Sequence, residues 1–128
     1  MYRVLRANGV MFVTLPDKRY TFDHERPVTP LRHLLDDHEN GPSGSEHSHL
    51  EEWFRLVVGL REDEVSSRAA EQATLAGGEG NIHYHVWTQR EMLELVVALQ
   101  GILKLEVELV RRTGIEVIFV LRKEEVGV

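Results

Sequence analysis

Two groups of side chains carry the chemistry that this sequence could do. Asp17, Lys18, Arg19, Tyr20, Asp23 and Arg26 crowd together just after a short apolar run. Lys18, Arg19 and Arg26 have the donors to clamp an anionic group such as a carboxylate or phosphate. Paired with Asp17 and Asp23, the same cations would instead order their own loop. His83 and His85 lie two apart in a stretch of extended character, so both would point to one side, as metal ligands can. His47 and His49 repeat that spacing near a helix start, where two apart does not converge. Asp17, Asp23 and Asp37 would supply oxygens to a His/carboxylate site. No His-x-x-x-His or thiolate pattern accompanies these histidines. Metal ligation by His83 and His85 therefore stands beside a plainer reading, one buried, hydrogen-bonded histidine with the rest solvated. Either could also act as a general acid or base. Ser43, Ser45 and Ser48 sit in a connector without the Gly-x-Ser-x-Gly turn of a serine nucleophile.

Composition narrows the classes. The 128 residues, 42% of them hydrophobic, suffice for one domain with a core. The net charge of −6, with acids and bases interspersed, argues against a phosphate-tracking surface, so no nucleic-acid partner is expected. The absence of cysteine excludes disulfides, thiolate zinc sites and cysteine nucleophiles. No apolar run approaches the roughly 20 residues of a membrane span, and no signal-peptide pattern opens the chain. Cytoplasm is the expected location, with no membrane partner.

The elements that must position these residues follow from periodicity and punctuation. Tyr2 to Arg6 reads as the last turns of a helix, stopped by Asn8-Gly9. Val10 to Leu15 reads as a buried strand ended by Pro16. A loop leaving the C-terminal end of such a strand is where α/β proteins bind ligands. Thr29 and Pro30 suit the N-cap and first position of a helix carrying Leu31, Leu34, Leu35 and His38 on one face. Asn40-Gly41-Pro42 stops it, and Gly41 to Ser45 forms a flexible connector. Leu50, Trp53, Phe54, Val57 and Val58 recur at helical spacing, the aromatics as core. Glu62 to Ala76 is a weaker helix through Val65, Ala69, Ala73 and Ala76, ended by the flexible Gly77-Gly78-Glu79-Gly80. Asn81 to Trp87 is extended in character. Thr88 and Glu91 form a capping box for a helix that turns Met92, Leu95, Val96 and Leu99 inward and closes at Gly101. Leu103 to Val110 alternates, with Leu103, Leu105, Val107 and Leu109 on one face. Arg111 to Gly114 reads as a hairpin turn, and Ile115 to Leu121 as a central strand with apolar residues on both faces.

The run Arg3-Val4-Leu5-Arg6-Ala7-Asn8-Gly9-Val10-Met11-Phe12 resembles the R-V-L-x-P-G-G-x-L-x stretch of class I S-adenosylmethionine-dependent methyltransferases, with Ala7 and Asn8 in place of the usual Pro-Gly. Residues 16–23, 81–88 and the closing hairpin from Glu106 to Lys123 resemble stretches of a bacterial subgroup of that family. The resemblance covers nearly the whole chain but only the C-terminal half of the family's domain. It implies a truncated Rossmann-like α/β fold of about four helices. Its sheet would have three strands ordered 10–15, 115–122, 103–110, with a helical insertion at about 29–80 in a single domain spanning 1–128. It also implies that Asp17, Arg19, Tyr20, His83 and His85 face the methyl-acceptor side of a cleft.

The family binds its cofactor on a Gly-rich turn after its first strand. Here the only glycine cluster follows a weak helix. The chain alone is therefore expected to bind no cofactor and to methylate nothing, with S-adenosylmethionine entering only if a partner supplies the missing half. An apolar strand edge without its usual neighbour is a template for association, so a homodimer or a complex with a separate cofactor-binding chain is expected. The alternatives are a non-catalytic interaction module derived from such an enzyme, and a small His/carboxylate metal-binding domain.

Overall fold

The computed structural model describes residues 1–74 and 82–125. The glycine cluster at 77–80, together with Leu75, Ala76, Asn81 and the last three residues, lies outside them. The chain divides into two compact units. One comprises Met1–Asp17 with Thr88–Val128, the other Lys18–Trp87.

The first unit is a three-stranded antiparallel sheet with one long helix. Its strands β1 (Val10–Pro16), β2 (Leu105–Thr113) and β3 (Glu116–Lys123) lie in the order β1-β3-β2. Both neighbours of β3 run antiparallel to it, pairing Phe12 with Val120 and Val110 with Phe119. β3 is central, as its sequence suggests, with Val117, Phe119 and Leu121 buried. β1 lies at the edge, as the expected order has it, but departs from the buried reading. It is covered on one face only, so Val10 and Phe12 stay exposed instead of being enclosed. The hairpin turn also lies further along than the expected Arg111 to Gly114. Pairing continues to Thr113 opposite Glu116, and the turn is Gly114-Ile115, with Gly114 at φ 57°. That left-handed conformation suits glycine.

The strict alternation expected along β2 fails at one place. The register shifts between Val107 and Leu109, so Leu109 pairs with Val120 and becomes exposed while Leu105 stays buried. A bulge inserts one residue, and every side chain beyond it changes face. At the N-terminus only a single 3₁₀ turn, Tyr2–Val4, forms where helical turns are expected. Asn8, at φ 60°, does supply the left-handed stop.

The helix of this unit runs over Gln89–Ile102 and is capped as its sequence requires. It is numbered α4 in chain order. The Thr88 amide donates to Glu91 Oε2 at 2.9 Å, and the Thr88 hydroxyl accepts from the Arg90 amide at 3.3 Å. Burial tends to raise the Glu91 carboxyl's pKa, but the hydrogen bonds from the Thr88 hydroxyl and backbone outweigh it and hold it below its usual value. The depressed value means that this carboxylate stabilises the fold above its unfolded pKa, and that the contribution fades as pH falls through the folded one. Met92 and Val96 are buried against the sheet's inner face, where Leu105, Val117, Phe119 and Leu121 complete the core. Thr88→Ala is expected to destabilise this unit by about 1 kcal/mol. Urea unfolding should show the midpoint shifted with an unchanged slope.

The second unit is helical. α1 spans Leu31–Asn40, α2 spans Glu46–Trp53 and continues into a π-turn at Phe54–Val58, and α3 spans Glu62–Thr74. Leu50, Val65, Ala69 and Val86 are its fully buried apolar side chains among the described residues. Ala73 and Val58, placed inward by periodicity, are exposed. Thr29 does not cap α1. Its hydroxyl accepts instead from the Val86 amide at 3.0 Å, and Pro30 occupies the cap position. A 3₁₀ turn, Pro42–Gly44, occupies the connector between α1 and α2. No helix among the described residues is long and apolar enough to cross a membrane.

Candidate metal centre

All four side chains of the centre belong to the second unit. α1 presents His33 and Asp37, four residues apart and so on one face. α2 presents His49. His85 comes from the irregular segment at 82–88, held to the chain near α1 by paired bonds. The Val86 amide donates to the Thr29 hydroxyl, and the Thr29 amide donates to the Val86 carbonyl at 2.7 Å.

One donor atom from each of His33, Asp37, His49 and His85 lies within 4.8 Å of the other three. His85 Nε2 is 2.8 Å from Asp37 Oδ2, and His33 Nε2 is 3.3 Å from the same oxygen. His33 Nε2 and His49 Nε2 are 2.9 Å apart. The three rings meet edge to face, with interplanar angles of 74–85°. That arrangement aims their nitrogens inward without stacking the rings. Ligands at about 2.0–2.1 Å from a tetrahedral ion sit about 3.3 Å from one another, so these separations suit a shared ion.

The electrostatics point the same way. The Ser45 hydroxyl donates to Asp37 Oδ1 at 2.8 Å, leaving Oδ2 for the cluster. That bond, with the hydrogen bond from His85 and the nearby His33, holds the Asp37 carboxyl below its usual range against the opposing effect of burial. Burial is also the main reason that the pKa of His49 falls to about 4, helped by His85, His33 and Arg26. A neutral imidazole and an ionised carboxylate are the states in which these groups ligate metal.

A buried network lies behind the cluster. Arg26 is 1% exposed and Asp23 is fully buried. The guanidinium donates to Asp23 Oδ1 and Glu52 Oε1, both at 2.8 Å, and to the carbonyls of His83 at 2.5 Å and Tyr84 at 3.1 Å. Asp23 Oδ2 in turn lies 2.6 Å from His83 Nδ1, and the His83 ring stacks on Phe22. Arg26 thus ties α2, three residues beyond His49, to the backbone just before His85.

The cluster borders two clefts. One, of about 350 Å³, is bounded by Asp37, His49 and His85 together with Pro42, Glu46 and Tyr84. The other, of about 270 Å³, is bounded in part by His33 and His49.

The side chains singled out in the sequence are scattered by the fold. His85 and Asp37 enter the cluster with His49. His83 does not, because a bend at Tyr84-His85 interrupts the extended stretch that would align the two histidines, and His83 pairs with Asp23. His47 faces away and pairs with Glu51. Arg26 is buried within its own network. Asp17 is fully buried in the first unit, where its carboxylate accepts from the Gln89 amide at the start of α4. Lys18 donates to the His24 carbonyl, and Arg19 lies over the ring of Tyr20. Sequence reasoning missed His33. The signal available was its i, i+4 spacing to Asp37, a His-x-x-x-Asp pair on one helical face.

No family model matches the chain, and no curated protein or solved structure does so either.

Proposed function

We propose that this protein binds a divalent transition-metal ion, zinc by its donor set, through His33, Asp37, His49 and His85. The convergence of three imidazole nitrogens and one carboxylate oxygen carries this reading. His33 Nε2 bears at most one hydrogen, so it cannot make full hydrogen bonds to both Asp37 Oδ2 and His49 Nε2 in the neutral state. Without a cation, one of those close contacts sets like against like or shares a single hydrogen. An ion at the centre satisfies all four lone pairs at once. Nitrogen and oxygen donors of this kind suit zinc and its first-row neighbours rather than calcium or magnesium, which take mainly oxygen.

Calorimetric titration tests the proposal, using protein made without a histidine tag and stripped with a chelator. A single zinc ion per chain is expected, with affinity largely lost in His49→Ala and Asp37→Ala. His47→Ala, which removes an exposed histidine outside the cluster, should titrate like the parent. Absence of zinc binding, or a His49→Ala variant indistinguishable from the parent, would overturn the assignment.

The strand order of the first unit favours a second reading. It is the order that the methyltransferase resemblance implies, with an antiparallel strand between the other two. In this reading the cytoplasmic chain is the acceptor-side part of a methyltransferase-like protein, inactive alone. It associates through the open edge of β1 with a second copy or with a cofactor-binding chain. The isolated chain should then fail to bind S-adenosylmethionine and should scatter light as a dimer. Cofactor binding by the isolated chain would remove this reading, and a monomer would remove its homodimeric form.

A further inference from the structure

The metal centre borders a largely apolar cleft with one hydrogen-bonded polar pair on its wall. The Tyr84 phenol donates to Glu46 Oε1 at 3.3 Å, and the Tyr84 ring stands edge-on to His49. A carboxylate accepts several hydrogen bonds, so Glu46 keeps acceptor capacity for a second donor. Asp37, His49 and His85 border the same cleft, and the side chains of His85 and Asp37 remain 27% and 14% exposed. The centre is not sealed from solvent. Four protein ligands complete a tetrahedral ion, so any further ligand must enter as a fifth, from the side on which the centre is exposed. A volume of about 350 Å³ lies at the small end of ligand-binding cavities. The carboxylates of Asp37 and Glu46 disfavour an anion with no metal contact.

Resting on the metal assignment above, we propose that the ion expands to five-coordinate by taking an exchangeable fifth ligand from this cleft. The cleft then takes a small neutral ligand of hydroxamic acid or amide chemistry, whose carbonyl oxygen binds the metal while an N–H or O–H donates to Glu46. The metal supplies most of the affinity. Glu46 supplies selectivity, because a ligand without a donor leaves its carboxylate unmatched beside the metal.

The full-length chain loaded with cobalt(II) tests this by visible absorption, with acetohydroxamate and azide as probes. Both are expected to shift the cobalt bands saturably. Glu46→Ala should weaken acetohydroxamate about tenfold and leave azide, which has no donor for Glu46, nearly unaffected. Cobalt bands that appear but respond to neither probe would identify a closed centre and overturn this inference while the metal assignment stands. Equal acetohydroxamate affinity in Glu46→Ala and the parent would overturn the role of Glu46. Absence of cobalt bands would overturn both the inference and the metal assignment beneath it.

Discussion

Zinc at about a thousand times its dissociation constant is expected to stabilise the chelator-treated protein by about 4 kcal/mol. For a helical unit of this size that corresponds to a rise in unfolding midpoint of well over ten degrees. The effect is large because the ligands come from three separate pieces of chain. α1 contributes His33 and Asp37, α2 contributes His49, and the segment after the glycine cluster contributes His85. The unfolded chain cannot bring these together, so binding energy appears as folding energy. Few apolar side chains are fully buried in this unit, which leaves room for the ion to matter.

The pH dependence of the metal-free protein has a definite sign. His49 titrates near 4 when folded and near 6.5 when unfolded. Between those values the unfolded chain holds a proton that the folded chain does not. Stability is therefore unaffected by this group above about 6.5 and falls as pH drops toward 4, by up to about 1.4 kcal/mol per pH unit for one proton. Zinc requires that neutral imidazole, which the folded chain already presents down to about pH 4, so His49 itself should not reduce the zinc-induced rise in midpoint between pH 7 and pH 5. Differential scanning calorimetry with and without zinc at several pH values checks both statements. A midpoint indifferent to zinc at pH 7 would refute the coupling.

The sheet was more legible in the sequence than the centre was, for physical reasons. The apolar run of β3 and the Thr88/Glu91 capping box are local signals, written within a few residues of where they act. Both are realised in the structure. The bulge that exposes Leu109 left no comparable mark, because inserting one residue changes pairing without requiring a particular side chain. Asp17 shows the converse. In the sequence it belongs to a charged loop suited to binding. In the structure it is buried and accepts the amide of Gln89, 72 positions away. The centre was harder still to see. His33 and Asp37 are neighbours by helical periodicity, but His49 and His85 join them only through tertiary packing. Equal spacing made His83 look as eligible as His85. The difference is set by a bend at Tyr84 and by Asp23, whose carboxylate claims His83.

Replacing Arg26 is expected to have the second large effect, and it separates positioning from charge. Arg26→Met leaves Asp23 and Glu52 without their cation. Breaking a buried pair by removing one partner costs about 3–5 kcal/mol. The same change frees the carbonyls of His83 and Tyr84, so the backbone that presents His85 loses its anchor. Arg26→Lys is the sharper test. It keeps the positive charge but cannot reproduce a planar fork that serves two carboxylates and two carbonyls. If Arg26 acts only through its charge, lysine should restore both stability and zinc affinity. If it positions the centre, lysine should restore part of the stability while zinc affinity stays about tenfold or more below the parent, the usual cost of disturbing groups that orient metal ligands. Zinc titrations performed well below each variant's unfolding midpoint keep the two readouts apart. Parent-like zinc affinity in Arg26→Lys would show that the His85 backbone needs no such anchor.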